Sequence, residues 1–457
     1  MVQTQQKKRI LMLAAENAAI AGAKVGGMAD VIRDLPLALA EHNVIVDVAM
    51  PCYGFLTQAV DTVWLGELSV NFAGREERVT VSKAAHPNLK EGYCYLFSHP
   101  LFNAAGQIYS QDEAARPFAS DASKFALFNL AVASALSTEY SEPSSTELSP
   151  ESIPVIAPAP DIVHLHDWHC GFFAILRAFE PSFAALRTKP CVLTIHNLAM
   201  QGIRPLKDDA SSLSGWFPVL AAQLDKAQLG AITDPRYGNC VNPLRAAIVL
   251  ADKVHLVSPT YATEVLKPSA AERGFIGGEG LEADLQHKLQ QRQLLGVLNG
   301  CMYQTDVEAK ASSSAAVAEK LTFSGWQSLL QQAESSLLSW QRGQAQISSQ
   351  HFVAFARLQQ WQRHITAAVL NNDALECDDF LLTSVGRLTN QKLLILRYRF
   401  AEDIDDLSYR GKTVLQLLLE RLKSVKPKGK FILLGSGDIQ LAREFADVAT
   451  CYDNFVF

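Results

Sequence analysis

The chain has 457 residues, 48% of them hydrophobic and 19% charged, with a formal net charge of −6. This composition excludes a disordered chain and argues against a broad nucleic-acid-binding surface, which needs clustered Lys and Arg; a small anion pocket remains open to it. At about 100–200 residues per domain, two or three domains are expected, with a core large enough to need no staples.

Residues Met1 to Arg9 are polar and basic and run into the apolar stretch Ile10–Ala15, which Glu16 and Asn17 interrupt. That stretch is too short for a signal peptide or a membrane span, so a cytoplasmic protein is expected. The eight cysteines are scattered without a C-x-x-C pair, several in apolar segments, and read as buried free thiols.

Ile10–Ala15 is the first of several short, mostly continuous apolar runs. The others are Val44–Met50, Ile162–Leu165, Val192–Ile195, Val254–Val257, Leu381–Val385 and Phe431–Leu434. Continuous rather than alternating runs of this length predict parallel strands covered on both faces. Amphipathic segments such as Met28–Ala40 and Thr413–Leu422 lie between them, which predicts a doubly wound α/β sheet. The Ser/Pro/Glu-rich stretch from Ser141 to Pro160 reads as a surface loop. An Ala/Ser-rich and then Gln-rich insert follows at about 309–368, and a domain junction is expected near Val297.

In doubly wound sheets, ligands bind beyond the carboxyl ends of the strands. After the first strand comes Lys24-Val25-Gly26-Gly27-Met28-Ala29-Asp30. Two glycines let the backbone approach a ligand, the next helix start offers free N–H groups, and Lys24 adds a charge, a combination suited to phosphate. The same residues also suit a Gly-Gly turn with a solvated lysine. A second strand ends in His166-Asp167-Trp168-His169. Asp167 fits a helix N-cap. The mixture of carboxylate, imidazoles and a flat apolar ring also fits a sugar. The three histidines His164, His166 and His169 lack the spacing of a helical metal site. A third strand ends at His196-Asn197, followed by Gln201-Gly202. Further on, Leu298-Asn299-Gly300 and Arg387-Leu388-Thr389-Asn390-Gln391-Lys392 occur, and two cations in one strand-to-helix connection can clamp a diphosphate.

Taken in order, Lys24-Val-Gly-Gly-Met-Ala-Asp30, Pro51-Cys-Tyr53-Gly54, His166-Asp-Trp-His169, Thr194-Ile-His196-Asn197 through Gly202, Val257-Ser-Pro-Thr-Tyr-Ala262, Leu298-Asn-Gly300, Arg387 through Lys392 and Leu434-Gly-Ser-Gly-Asp438 resemble bacterial glycogen synthases and plant starch synthases. The resemblance spans about residues 9–305 and 380–440. It implies a GT-B fold: two Rossmann-like, doubly wound domains facing a cleft, the first over 9–297 and the second, incomplete, over 298–457. It also implies retaining transfer of glucose from ADP-glucose (UDP-glucose in some relatives) to the non-reducing end of an α-1,4-glucan. Neither metal nor other cofactor, and neither nucleic acid nor membrane, is implied as a partner. Carried over position by position, His196, Arg387 and Lys392 would be catalytic; Lys24, Gly26, Gly27, Asp30, Asp167 and Asn299 would bind substrate.

Three departures stand beside this. No Glu-Pro-x-Gly motif follows Asp438, Leu393 replaces the glycine usual after the lysine, and Ile276 stands where an aromatic is common. The first departure supports a second expectation, an inactive glucan-binding or scaffolding relative. The Lys-Val-Gly-Gly motif speaks against a sucrose-synthase-like relative.

Overall fold

The computed structural model describes residues 7–103, 106–110, 112–113, 115–137, 156–270, 274–300, 330–332, 335, 349–370 and 380–457. The chain divides into two compact units, Met1–Met302 and Tyr303–Phe457. The insert expected at 309–368 and the loop expected at 141–160 lie largely outside the described residues.

Unit 1 is built on a nine-stranded sheet. In chain order its strands are β1 (Lys8–Leu13), β2 (Val44–Pro51), β3 (Val63–Phe72), β4 (Arg75–Ala85), β5 (Tyr93–Ser98), β6 (Ile162–His166) and β7 (Cys191–Ile195). A two-stranded ribbon follows, β8 (Arg204–Pro205) with β9 (Cys240–Val241), and then the last two sheet strands, β10 (Lys253–Leu256) and β11 (Leu294–Gly296). The spatial order is β11-β10-β7-β6-β1-β2-β5-β4-β3. From β11 to β5 every neighbouring pair is parallel. From β1 the chain adds β2, runs to the far edge as β3, comes back through β4 to β5 beside β2, and then crosses over to lay β6 on the other side of β1. The reversal places a topological switch point between β1 and β6, where the loops of such sheets run in opposite directions.

The parallel strands form because both of their faces are covered. Leu11, Met12, Leu13, Val48, Ala49 and Met50 have no exposed surface. Helices α1 (Gly27–Glu41), α2 (Ala119–Ser137) and α3 (Gly171–Phe179) supply much of the cover. Helix α2 is buried almost all round, including Lys124 and Asn129. Its Asn129 donates to the His169 carbonyl at 2.8 Å and accepts from the Phe173 amide at 3.1 Å, which fixes the start of α3 against α2. β3 and β4 differ from the rest: they pair antiparallel and alternate, with Leu68, Val70 and Phe72 buried and Glu67, Ser69 and Asn71 exposed. That is the pattern of a sheet edge with one wet face.

Unit 2 carries a parallel three-stranded sheet, β12 (Leu381–Leu388), β13 (Lys430–Gly437) and β14 (Phe455–Val456), in the order β12-β13-β14. Leu415, Leu419, Phe431, Leu433, Leu441 and Phe445 form its core. Leu393, at the usual glycine position, is buried in that core. The helix Ser349–Leu370, the described end of the insert, packs Leu358 and Trp361 against Val456, and the Trp361 indole donates to the Asp453 carbonyl at 2.8 Å. Among the described residues no helix is long and apolar enough to cross a membrane. Cys52, Cys94, Cys170 and Cys191 are buried free thiols; burial pushes Cys94 and Cys191 up to about 12, so they stay protonated and inert.

Candidate functional site

Three adjacent parallel strands, β7, β6 and β1, carry their polar residues to the same edge of the sheet. The loop after β1 turns on Glu16, a buried carboxylate. Its Oε2 accepts from the Val25 amide at 2.6 Å and the Gly26 amide at 2.5 Å, and its Oε1 accepts from the Tyr109 hydroxyl at 2.6 Å. The loop Lys24–Gly27 is thus held from beneath. Among the described residues no side chain caps α1, so its first amides, beginning with Gly27, remain at the helix start. The Gly26 amide is engaged by Glu16, which leaves the Gly27 amide, among the described residues, as the open donor of the pair. Lys24 is half exposed and lies 2.7 and 2.8 Å from the Asp30 carboxylate, which also receives Arg33 at 3.1 Å.

At the end of β6, Asp167 adopts φ 57° and ψ −171°, a region a non-glycine residue enters at a cost of about 1–3 kcal/mol. The expectation of an N-cap is not met, since its side chain caps no helix. Instead Oδ1 reaches across to β7 and accepts from the His196 amide at 2.6 Å and the Asn197 amide at 3.3 Å. The strained backbone therefore aims the carboxylate sideways along the strand ends rather than up its own helix. Burial raises its pKa to about 7, against the lowering effect of those two amides and with a further push from the Glu16 charge.

His196 leaves β7 with its Nε2 3.0 Å from Nδ1 of His166. Burial, reinforced by His255, lowers its pKa to about 3, so it is a neutral imidazole able to donate or accept one proton. Behind it, His164 Nε2 lies 2.7 Å from the Thr194 hydroxyl, which lies 2.9 Å from His255 Nδ1. Among the described residues His166 Nε2, by contrast, is buried without a hydrogen-bond partner, and no group of three metal-type ligands converges. His169 packs its ring against Trp168, Phe125 and Tyr109, with centroids 4.4, 4.8 and 5.4 Å away.

The loop after β7 is tied down on two sides. The Leu198 amide donates to the Tyr261 hydroxyl at 3.0 Å. The Gln201 amide group donates to the Glu279 carbonyl at 3.1 Å, while its oxygen accepts from Arg236 and Asn242. Gly202 has φ 67°, and a Cβ there would lie 2.1 Å from the buried Trp168 ring. Gly202→Ala is expected to cost about 2–4 kcal/mol from left-handed strain plus overpacking. A urea midpoint equal to wild type would refute that contact.

Asn299 lies just past β11, exposed, its amide donating to the Val257 carbonyl at 3.2 Å. It stands three strands from β6 along the sheet order and does not join the Asp167–His196 pair. In unit 2, Arg387 is exposed near the end of β12, and Lys392 is exposed in the first turn of the helix Asn390–Arg397, whose N-cap is Thr389. Among the described residues neither makes an ion pair. Sequence reading missed Glu16 and Tyr109; a glutamate breaking an apolar run directly after a buried strand was the available signal, since such carboxylates are almost never buried without partners.

The chain is thus a doubly wound α/β protein whose polar strand ends gather at the switch point, the place where open α/β sheets of this class hold their ligands. The particular family is set by similarity: the sequence matches the starch synthase catalytic domain over residues 9–287, and the chain belongs to that family. It is 32% identical over 297 residues to a glycogen synthase of Gloeobacter violaceus, covering 64% of this chain and 49% of that protein. It is 28% identical over 432 residues to a glycogen synthase of Francisella tularensis subsp. novicida, covering 94% and 69%. The solved catalytic domain of starch synthase IV from Arabidopsis thaliana, bound to ADP and acarbose, shares the GT-B fold with a TM-score of 0.60 at 22% identity, covering 99% of this chain and 73% of that one. The chain spans about half the length of most of the curated relatives it matches.

Proposed function

We propose that this chain is a hexosyltransferase of the glycogen or starch synthase type, moving glucose from ADP-glucose to the non-reducing end of an α-1,4-glucan with retention of configuration. The observation that carries the reading is the Asp167–His196 bond beside the Glu16-held Lys24 loop, at the switch point of a sheet in this family. The named relatives and the ADP- and acarbose-bound neighbour support a nucleotide-sugar donor and a glucan acceptor.

Breaking the bond between glucose and phosphate leaves charge on the departing diphosphate. Lys24 with the Gly27 amide would meet that charge as it develops, and such preorganised donors are usually the largest catalytic contribution; the family resemblance assigns a catalytic role to Arg387 and Lys392 as well. A neutral His196 would hydrogen-bond the sugar rather than add a charge. Asp167 would hold His196 through its backbone and offer its second oxygen to a hydroxyl. Asp30 and Asn299 would position the donor. No metal is needed in this scheme.

Incorporation of labelled glucose into glycogen, from ADP-glucose and UDP-glucose in parallel and with EDTA present, tests each part. Transfer favouring ADP-glucose and unaffected by EDTA is expected. Loss of transfer on chelation would overturn the metal-free scheme. Glycogen binding without transfer from either donor would support the second reading, a glucan-binding relative.

A further inference from the structure

Glu16 is a full carboxylate with 2% of its surface exposed. Burying such a charge is costly unless hydrogen bonds replace its water. Among the described residues no Lys, Arg or His pairs with it. Its compensation comes from three short donors, the Val25 and Gly26 amides and the Tyr109 hydroxyl. Bonds of this charge-assisted kind are about twice as strong as neutral ones. The two oxygens divide the work, Oε2 toward the lysine–glycine loop and Oε1 toward Tyr109.

Tyr109 is itself held. On one side its ring packs on His169. On the other, the buried Lys124 of α2 donates to the Ile108 carbonyl at 2.7 Å and pairs with Asp121 at 2.8 Å, and Asp121 accepts from the Ser110 amide at 2.9 Å. The residues before and after Tyr109 are therefore anchored to one buried ion pair on one helix. A continuous series of short contacts runs from α2 through Tyr109 and Glu16 to the backbone that carries Lys24 and Gly27.

We infer that Glu16 is a positioning residue: its carboxylate, braced by Tyr109 and the Lys124–Asp121 pair, fixes the backbone of the lysine–glycine loop so that Lys24 and the Gly27 amide are preset for a diphosphate. The inference rests on the proposed function for its ligand, but the fixing of the loop can be measured without it. Displacing a binding group by about 1 Å costs on the order of 10²-fold in rate.

The test uses the full chain with Glu16→Ala, Glu16→Gln and Tyr109→Phe, read by amide hydrogen exchange and by steady-state kinetics. In Glu16→Ala the Val25 and Gly26 amides are expected to exchange about 100-fold faster than in wild type, with the β1 amides unchanged. The apparent KM for ADP-glucose rises at least about tenfold while that for glycogen holds within about twofold. Glu16→Gln, which keeps an acceptor oxygen, restores most of the protection and most of the donor affinity. Tyr109→Phe, which loses only the brace, speeds exchange of the same two amides several-fold, and it decides the matter should Glu16→Ala not fold. Unchanged exchange at Val25 and Gly26 in a folded variant overturns the inference, as does an equal loss of affinity for donor and glycogen. A wild-type chain that transfers glucose from neither donor defeats the functional reading alone, leaving the exchange arm to decide the role of Glu16.

Discussion

Lys24→Ala is expected to lower glucose transfer about 10²–10³-fold while leaving the unfolding transition where it is. The two halves of that expectation have separate grounds. Lys24 is half exposed, and its structural contact is the surface pair with Asp30, a kind of bond that contributes about 0–1 kcal/mol. Removing it leaves no buried group unpaired. Its catalytic value would be larger because a departing diphosphate concentrates charge, and a lysine already held by Asp30 needs little reorganisation. Arg387→Ala should act the same way, since Arg387 is exposed on β12 and makes no ion pair among the described residues. Rates like wild type in either folded variant would remove that residue from the diphosphate contacts.

The second large effect is on acid stability. Burial is the leading cause of depressed pKa values at His164, His169 and His196, each brought to about 3, and it lowers His166 well below its usual value. In the unfolded chain these imidazoles titrate near 6.5. Between about pH 6.5 and 3 the unfolded state therefore binds more protons than the native one, and stability falls as pH falls. Asp167 acts in the opposite sense. Its native pKa of about 7 lies above its unfolded value, so the native state holds the extra proton and its share of stability is lost as pH rises through that range. His86 and His255 are lowered by burial too, so the histidines outweigh Asp167 and Asp47, the unfolded state binds more protons near pH 5, and stability falls steeply as pH drops below about 6. Urea melts at pH 7.5, 6 and 5 should show the midpoint dropping throughout. A flat profile over that range would mean the imidazoles are reached by water.

How much of this could be read from sequence differs from element to element. β1, β2, β6, β7 and β10 are legible because strands covered on both faces appear as mostly apolar runs, broken only by single polar residues such as Asp47, His164 and His255. β3 and β4 are not, because a half-wet antiparallel hairpin hides its apolar residues behind alternating Glu, Ser and Asn. Asp167 and His196 are legible as polar residues at strand ends. That one grips the backbone of the other is not, since the bond depends on a positive φ at Asp167 and on β6 lying beside β7. Glu16 presents in sequence as an interruption of an apolar run. Its meaning depends on Tyr109, which the fold brings to it from far along the chain.

The neighbour relation of β1 and β6 also bears on how the protein comes into being on the ribosome. Ile10 to Leu13 pair with Ile162 to Leu165, so one whole edge of the first strand waits for a partner that is synthesised much later. At about 5–20 residues per second, that wait is about 10–30 s. Throughout it, a fully apolar strand edge has β2 on one side at most, and neither Asp167 nor His196 has yet emerged. The switch point is therefore completed only past the midpoint of unit 1's synthesis, and until then the nascent β1–β2 segment is open to chaperone capture and misassembly.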